Sequence, residues 1–435
     1  MKDAKKKEGE TPSATVNGPK ELALDYHARY KGKIEIGLKV PIQSYNDFAI
    51  WYTPGVAKPS LEIAKNRERV FDYTNKGNFV VIVSDGTRVL GLGDIGAEAA
   101  LPVMEGKAIL FKYLGGVDAF PLCLATKDAE EIINTVKLVA PTFGGVNLED
   151  IESPKCYYIL ERLRNELNVP VWHDDQQGTA LVILAGLINA LKVVGKKLSE
   201  VTVSLIGAGA ANINVARYAS IAGAEYGNMV MVDSKGILNP TREDVKGDKT
   251  KWEMCEKTNK EGRSGGIKEA MRDTDVCIAL STPGPDVIRT DWVTGMADDA
   301  IVFACANPVP EIWPKDAEEG GARIVATGRS DFKNQTNNSL GFPAVFRGAL
   351  DVRATTITDD MCIEAANAIA RYAEEKGISE DYIIPSMADT DMYVYEAVAV
   401  GRTAMAQGVA ERSMSESELE EKVRTKIYKK TKTFL

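Results

Sequence analysis

An apolar run at residues 201–206 leads directly into a glycine-rich turn, Gly207-Ala208-Gly209, and this junction constrains the fold more than any other feature of the chain. Such a run predicts a buried strand, and glycines at its carboxyl end predict a sharp turn into a helix. Helical or loop spacers separate it from further strand candidates at 229–233, 276–280, 301–305 and 323–327. Strands that alternate with helices predict an α/β fold with a doubly wound parallel sheet.

The turn has the pattern of a dinucleotide-binding loop. Gly207 permits the tight turn, and Gly209 lets the backbone approach a pyrophosphate at the helix N-terminus that starts with Ala210. Asp233 ends the next strand candidate, where a carboxylate can bind ribose hydroxyls and repels a 2′-phosphate. We therefore expect NAD, with NADP possible because Lys235 lies close by. Asn212 occupies the third fingerprint position, which is normally Gly or Ala.

Two pairs of adjacent carboxylates, Glu149-Asp150 and Asp174-Asp175, lie on either side of a helical stretch shortly before this turn. A hard cation such as Mg²⁺ or Mn²⁺ takes several oxygen ligands and leaves positions open for a substrate. Taken alone, such pairs are more often a solvated surface, and the second pair could equally cap the helix that starts near Gly178. Together with the dinucleotide turn, they indicate metal-assisted redox chemistry on a small carboxylate.

Composition excludes several classes of protein. The chain has 435 residues, which favours two domains, and its net charge of −9 argues against nucleic acid or an anionic membrane as the main partner. Its six cysteines form no Cys-x-x-Cys pair, which favours a reducing cytoplasm. No apolar run reads as long enough to span a bilayer, and no secretory signal is visible. With only His27 and His173, acid–base work falls to Lys, Tyr, Asp or Glu.

Short motifs follow one another in a fixed order over residues 20–355. They are Tyr52-Thr53-Pro54-Gly55-Val56-Ala57, the run from Gly86 through Arg88 to Gly96, the run from Pro102 to Lys107, Asn147-Leu148-Glu149-Asp150, the run from His173 to Thr179, Ala306-Asn307-Pro308, and the run from Asn337 to Pro343. In this order the motifs resemble the malic enzyme family, most closely its short form without an appended second enzyme domain.

The resemblance implies oxidative decarboxylation of (S)-malate to pyruvate and CO₂ with reduction of NAD(P). It implies that Lys107 takes the proton of the C2 hydroxyl, for which its pKa must be lowered by burial or a nearby cation. It also implies that Tyr52 donates a proton to C3 of enolpyruvate. The implied metal ligands are Glu149, Asp150 and Asp175, and Asp174 would orient a ligand or the lysine.

Three further residues receive substrate roles from the resemblance. Arg88 would clamp a malate carboxylate with its planar guanidinium, although such a residue is normally at the surface. Asn307 and Asn338 would hydrogen-bond substrate or nicotinamide, with Asn307 counted in the cofactor site as well; asparagine alone would more often stabilise a turn. His173 is interpreted as structural.

We expect four segments along the chain. They are a flexible tail at 1–18, a substrate- and metal-binding domain at 19–165, a Rossmann-type domain at 166–395 and a C-terminal helical segment at 396–435. The active site should lie in the cleft between the two domains. The resemblance implies a homodimer or homotetramer.

Two other functions remain open at this point. A metal-dependent oxaloacetate decarboxylase without net redox would need the metal residues and Tyr52 but neither Gly209 nor Asp233. A non-catalytic dinucleotide-binding regulator would need neither Lys107 nor Tyr52.

Overall fold

The computed structural model describes residues 19–428. The chain divides after Pro41 into two compact units. The first unit contains α1 (Pro19–Tyr30), followed by irregular backbone. The expected flexible tail at 1–18 lies outside the described residues, as do the last seven positions, 429–435, of the expected C-terminal segment.

The second unit begins with a four-stranded parallel sheet in the order β2-β1-β3-β4. Its strands are β1 (Phe79–Ser84), β2 (Asp118–Cys123), β3 (Gly145–Leu148) and β4 (Val171–His173). Leu148 of β3 pairs with His173 of β4. Because adjacent parallel strands end at the same edge of a sheet, the residues that follow Leu148 and His173 come side by side.

A six-stranded sheet follows in the same unit, in the order β10-β9-β8-β5-β6-β7. Its strands are β5 (Val203–Ile206), β6 (Met229–Asp233), β7 (Gly236–Ile237), β8 (Val276–Ala279), β9 (Ile301–Ala304) and β10 (Ile324–Thr327). All neighbours pair in parallel except β6 and the short edge strand β7. The α/β class with a Rossmann-type parallel sheet is confirmed.

Both faces of the six-stranded sheet are buried, as doubly wound sheets require. Successive residues of β5 show this, because Leu205 packs in one hydrophobic cluster and Ile206 in another. The first cluster includes Leu184 from the long apolar helix, and the second includes Met271 and Val293. Alternate side chains of each strand therefore hold helices on opposite sides.

The helices of the second unit cover both sheets and build the carboxyl-terminal region. They are α2 (Phe48–Trp51), α3 (Ala57–Lys65), α4 (Val70–Tyr73), α5 (Ala97–Gly115), α6 (Ala129–Val139), α7 (Lys155–Glu166), α8 (Thr179–Val194), α9 (Ala210–Ile221), α10 (Lys249–Lys257), α11 (Ile267–Met271), α12 (Thr290–Val293), α13 (Pro314–Glu319), α14 (Phe342–Asp351), α15 (Asp359–Lys376), α16 (Thr390–Ala406) and α17 (Glu416–Tyr428). The helix that carries Lys107 begins before Pro102 and is longer than the motif alone suggests.

One helical stretch, Asp174–Val194, is long and apolar enough by length and composition to cross a membrane, contrary to the expectation from the sequence. Its most apolar window is 72% buried inside the protein. Burial by protein on that scale is typical of a core helix rather than a membrane span.

Candidate active site

Acidic side chains gather at the carboxyl edge of the four-stranded sheet. Glu149 and Asp150 follow β3 directly, and Asp175 follows β4 after Asp174. One carboxylate oxygen from each of Glu149, Asp150 and Asp175 lies within 4.8 Å of the others. These three are the predicted metal ligands, and the register of β3 with β4 brings them together.

Lys107 reaches this cluster from α5. Its Nζ atom lies 2.5 Å from Asp174 Oδ2 and 2.9 Å from Glu149 Oε1, and all three side chains are buried. The ammonium also sits over the ring of Phe342, 4.3 Å from the ring centre. The lysine is thus held between two carboxylates and an aromatic face, which is a favourable environment for a positive charge.

The charges set the protonation of the cluster. Burial acts to lower the pKa of Lys107, but Asp174 and Glu149 outweigh it and leave that pKa above its usual value. Burial, with the neighbouring charge of Asp175, raises the pKa of Asp150 to about 8. The sequence argument required a lowered pKa for Lys107. The protein by itself produces the opposite shift, because the acidic groups crowd around the ammonium.

Hydrogen bonds from neighbouring groups orient the carboxylates. Trp172 Nε1 donates to Asp174 Oδ1 at 3.0 Å, and Asn147 Nδ2 donates to Glu149 Oε2 at 2.9 Å. The backbone N–H of Asp150 donates to Asp175 Oδ2 at 2.9 Å. These contacts orient three of the four carboxylates, those of Asp174, Glu149 and Asp175.

His173 is fully buried, and neither of its ring nitrogens has a hydrogen-bond partner among the described residues. Burial lowers its pKa to about 4, so the imidazole is neutral at pH 7. Its Nδ1 atom lies 3.7 Å from Asp175 Oδ2. The contact places the ring behind the carboxylates, in keeping with the structural interpretation of His173.

The loop after β1 carries Arg88 to the same edge. The backbone N–H of Arg88 donates to the carbonyl of Asp150 at 3.0 Å. Burial raises the pKa of Asp175, and the positive charge of Arg88 opposes part of that rise. The side chain itself is exposed. Arg88 therefore lies beside the acidic cluster with its guanidinium open to a ligand.

Loops from the two sheets meet at Gly91. A Cβ atom there would lie 2.7 Å from the carbonyl oxygen of Asn307 and 3.1 Å from Pro283 Cγ. Only glycine leaves room for this approach. It brings the Arg88 loop of the first sheet against the loops that follow β8 and β9 of the second sheet.

Asn338 approaches the cluster from another direction. It begins a short 3₁₀ turn before α14, and its Cβ atom would lie 3.5 Å from a Cβ placed on Gly178. The same added Cβ would collide with Asp174 Oδ1 at 2.0 Å. Gly178 thus permits close packing of Asn338 and Asp174, next to the lysine.

Tyr52 is not brought into the cluster. It follows α2, and its side chain is 69% exposed. Ile50 and Trp51 beside it are also about half or more exposed, at 64% and 49%. A catalytic role for Tyr52 therefore requires a rearrangement of this segment or an approach from another chain.

The glycine turn of the second sheet has the geometry of a phosphate loop. Gly207 has φ of +101°, and a Cβ atom there would lie 2.6 Å from the carbonyl oxygen of Leu280. A Cβ on Gly209 would meet nothing within 4 Å, and no side chain caps the start of α9 at Ala210. The first N–H groups of α9 therefore face open space, where a pyrophosphate can bind.

Asn212 supports this turn in a way the fingerprint does not suggest. Its side chain is fully buried, and its Nδ2 atom donates to the carbonyls of Ile206 at 2.9 Å and Gly207 at 2.8 Å. The amide thus ties α9 to the strand end. This contact replaces the close helix–strand packing that a small residue would allow.

Glu311 is a site residue that sequence reasoning missed. It is fully buried, with Oε1 accepting from the backbone N–H of Ser281 at 2.7 Å and Oε2 from that of Ala306 at 3.0 Å. Glu311 thereby joins the loops after β8 and β9. Its contact in the second loop, Ala306, directly precedes Asn307. The only local signal is an acidic residue within a proline-rich loop, which alone indicates a surface position.

Arg242 was missed as well, and it changes the environment of Asp233. Its two terminal nitrogens donate to both carboxylate oxygens of Asp233, at 3.1 and 3.0 Å. Arg242 lies in a turn after β7, and no spacing rule connects it to the dinucleotide fingerprint. Only the folded chain places the two side chains together.

Comparison with known families finds two adjacent matches that cover most of the chain. The profile described as malic enzyme, N-terminal domain, matches residues 31–164, and malic enzyme, NAD binding domain, matches residues 176–406. The first covers Lys107, Glu149 and Asp150, and the second covers the glycine turn, while Asp174 and Asp175 lie in the short interval between the two matches.

Related proteins carry the same family name. The chain is 49% identical to a bifunctional malic/malolactic enzyme of Bacillus subtilis, over 93% of this chain and 98% of the relative. It is 48% identical to an NAD-dependent malic enzyme of Geobacillus stearothermophilus, over 88% and 78%, and 41% identical to an NADP-dependent malic enzyme of Halomonas elongata, over 91% and 96%.

Solved structures agree. A malic enzyme from Entamoeba histolytica superposes with a TM-score of 0.93 at 47% identity, over 95% of this chain and 87% of that one. A malic enzyme from Pyrococcus horikoshii gives a TM-score of 0.91 at 52% identity, over 95% and 97%. The resemblance drawn from the motifs is confirmed.

Proposed function

This chain belongs to the malic enzyme family, and we propose that it catalyses the oxidative decarboxylation of (S)-malate to pyruvate and CO₂ with NAD(P) and a divalent cation. One observation carries the proposal. A buried lysine lies 2.5 and 2.9 Å from two carboxylates, beside two further carboxylates whose oxygens converge. The two alternatives from the sequence, a decarboxylase without redox and a non-catalytic regulator, are not favoured.

The acidic residues fit a hard cation. Asp150 Oδ2 is buried and has no hydrogen-bond partner among the described residues, and its carboxyl pKa is raised to about 8. A buried carboxylate oxygen without a partner is costly, and a cation would relieve that cost. We therefore propose Glu149, Asp150 and Asp175 as ligands of Mg²⁺ or Mn²⁺. When bound, the cation supplies positive charge beside the C2 oxygen of the substrate.

The glycine turn fits the dinucleotide. Its open N–H groups at Gly209 and Ala210 would take the pyrophosphate, with Gly207 shaping the turn and Asp233 near the ribose. Asn307, held by its neighbours Ala306 and Glu311, would hydrogen-bond the nicotinamide end or the substrate. When bound, NAD(P) accepts the hydride from C2 of malate.

Lys107 would accept the proton of the malate C2 hydroxyl. Its ammonium must first lose a proton, because Asp174 and Glu149 keep it charged. Asp174 Oδ2, 2.5 Å from Nζ, is the nearest acceptor, and burial raises the pKa of its carboxyl. We propose that Asp174 takes this proton and so positions a neutral Lys107 for the reaction.

Arg88 and Asn338 would hold the substrate. The exposed guanidinium of Arg88 beside Asp150 is suited to a bidentate contact with a malate carboxylate. Asn338, packed against Gly178 next to Asp174, would donate to a substrate oxygen. The substrate would then lie between these two groups and the acidic cluster.

Tyr52 would donate the proton to C3 of enolpyruvate, and we propose that the protein is a homodimer or homotetramer. The exposed apolar side chains beside Tyr52 support an oligomer, because such a patch on a soluble protein usually marks an interface. Relatives of this family are soluble enzymes, and we propose a cytoplasmic location.

The test is the absorbance of reduced nicotinamide in the presence of malate and Mn²⁺. NAD and NADP are compared, EDTA removes the cation, and pyruvate is measured as product. We expect malate-dependent reduction that EDTA abolishes. Pyruvate formed from oxaloacetate without any reduction with malate would instead support the decarboxylase, and binding of NAD(P) without either reaction would support a regulator.

A further inference from the structure

The carboxylate of Asp233 is already engaged by its own chain. Oδ1 accepts from the backbone N–H of Lys235 at 2.9 Å and from Arg242 Nη1 at 3.1 Å, while Oδ2 accepts from Arg242 Nη2 at 3.0 Å. An ionised carboxylate offers about four acceptor positions, so roughly one remains for a ribose hydroxyl. Asp233 therefore does not present the free carboxylate on which the usual preference for NAD depends.

The guanidinium of Arg242 is also fully engaged in hydrogen bonds. Its Nε donates to Asp244 Oδ1 at 2.7 Å and its Nη2 to Asp244 Oδ2 at 3.0 Å, while Nη1 also donates to the carbonyl of Gly236 at 3.2 Å. The side chain is 14% exposed. Arg242 is thus a rigid fork between two carboxylates, and its charge stays next to Asp233.

The charges around this pair sum to a positive value. Asp233 and Asp244 contribute two negative charges, and Arg242 contributes one positive charge. Lys235 Nζ lies 3.1 Å from Asp244 Oδ2, and Lys251 Nζ lies 4.0 Å from Asp233 Oδ2. With three cations against two anions, the end of β6 carries a net charge of +1. A bare carboxylate there would repel a 2′-phosphate, whereas this cluster attracts it.

Building on the proposed use of NAD(P), we propose that Arg242 is a positioning residue that sets cofactor preference. By neutralising Asp233, it lets the ribose end of the site accept a 2′-phosphate as well as a free 2′-hydroxyl. The remaining acceptor position of Asp233 serves the hydroxyls of NAD, and the net positive charge serves the phosphate of NADP. The enzyme therefore binds both dinucleotides with similar affinity.

The test measures binding without substrate or metal, so it does not depend on the chemistry. Dissociation constants for NADH and NADPH come from nicotinamide fluorescence on the full chain. For the natural protein we expect the two constants to agree within about tenfold. In Arg242→Met, Asp233 is unpaired, and we expect the ratio of the NADPH constant to the NADH constant to rise about tenfold or more. Arg242→Lys keeps the charge and should keep the ratio near its original value.

Two more variants complete the test. Asp233→Asn removes the negative charge, and the ratio should fall in favour of NADPH. Lys246→Met removes an exposed cation that pairs with Glu243 rather than Asp233, and it should leave the ratio unchanged. Circular dichroism establishes that each variant is folded.

Several results would overturn the inference. Binding of NADPH more than about a hundredfold weaker than NADH in the natural protein would do so. So would equal weakening of both dinucleotides in Arg242→Met, because a merely structural role would not change the ratio. If the folded protein binds neither dinucleotide, the proposed function fails along with the inference. If it binds both and no variant changes the ratio, only the inference fails.

Discussion

Lys107 Nζ lies 2.5 Å from Asp174 Oδ2 in a pair that solvent hardly reaches, with side chains 8% and 0% exposed. The lysine comes from α5 and the aspartate from the end of β4, 67 positions later in the chain. The second oxygen of Asp174 is held by Trp172. This contact makes the aspartate a fixed proton acceptor for the lysine, rather than a mobile surface group.

Lys107→Ala should abolish malate oxidation while leaving dinucleotide binding near its original value. General-base catalysis contributes about 10² to 10⁴ in rate, so kcat should fall by at least that range. Malate-dependent reduction and NADH fluorescence measure the two properties. Lys112→Ala on the same helix removes a partly exposed lysine paired with Asp118, and it serves as the control. Loss of dinucleotide binding in Lys107→Ala would count against the assignment.

Asp174→Asn and Asp150→Asn should separate proton transfer from cation binding. Asp174→Asn removes the acceptor for Lys107, and we expect kcat to fall about 10- to 100-fold with a smaller change in the Mn²⁺ requirement. Asp150→Asn removes a proposed metal ligand, and we expect the Mn²⁺ concentration for half-maximal activity to rise about 10- to 100-fold. Titration of activity with Mn²⁺ distinguishes them. The same Mn²⁺ dependence in both variants would mean that Asp174 is itself a ligand.

Gly91→Ala should weaken malate binding and turnover together. The new Cβ would lie 2.7 Å from the carbonyl of Asn307, so the loops from the two sheets would have to separate. We expect a rise in KM for malate and a fall in kcat of about tenfold or more, because small misplacements of bound groups are costly. Gly247→Ala, where a Cβ meets nothing within 4 Å, is the matched control. Natural kinetics in Gly91→Ala would show that the loops need not approach this closely.

Tyr52→Phe should slow reprotonation of enolpyruvate more than hydride transfer. Because the side chain is 69% exposed, the Tm of the variant should equal that of the natural protein. Incorporation of deuterium from solvent at C3 of pyruvate reports the proton transfer, and pre-steady-state reduction of NAD(P) reports hydride transfer. If both steps slow equally, a structural role for Tyr52 is the better explanation.

Stability should fall with rising pH because of Glu396. This residue of α16 is fully buried, and both carboxylate oxygens lack hydrogen-bond partners among the described residues. Burial raises its pKa well above the usual value. The unfolded chain ionises at about pH 4.3, so above that pH unfolding releases a proton that the folded state keeps. The contribution of the neutral carboxyl to the free energy of unfolding is fully present below about pH 4.3. It is lost as the pH rises through the higher pKa of Glu396 in the folded protein.

Glu396→Met should remove this dependence and raise the free energy of unfolding by about 1 to 3 kcal/mol at pH 8, with little difference near pH 4. Urea unfolding at both pH values measures it. Glu375→Gln on an exposed surface should leave the pH profile as it is. A gain in stability that is the same at both pH values would indicate packing rather than ionisation as the cause.

Much of the second sheet could be predicted from the sequence. Its parallel strands coincide with apolar runs, and α8 begins at Thr179, next to the start near Gly178 that the sequence suggests. Strands β3 and β4 were not predicted. They have four and three residues and contain Asn147 and His173, so neither has the length or the apolar composition of a recognisable strand.

The site residues divide in the same way. Motif order was enough to name Lys107, Glu149, Asp150, Asp174 and Asp175, and the structure brings those side chains together. It leaves Tyr52 exposed, and the predicted roles of these residues and the predicted domain boundaries stay predictions. Arg242 and Glu311 act through partners that no spacing rule connects to them.

The sequence by itself determined the strand, turn and helix around Gly207, because hydrophobic pattern and backbone sterics act over a few neighbouring residues. The sequence also determined the family, because the motifs and their order are visible in the sequence alone. Only the tertiary structure decided the charge of Lys107 and the engagement of Asp233 by Arg242. Electrostatic energies depend on distance and burial, and both are set where separate segments of the chain meet.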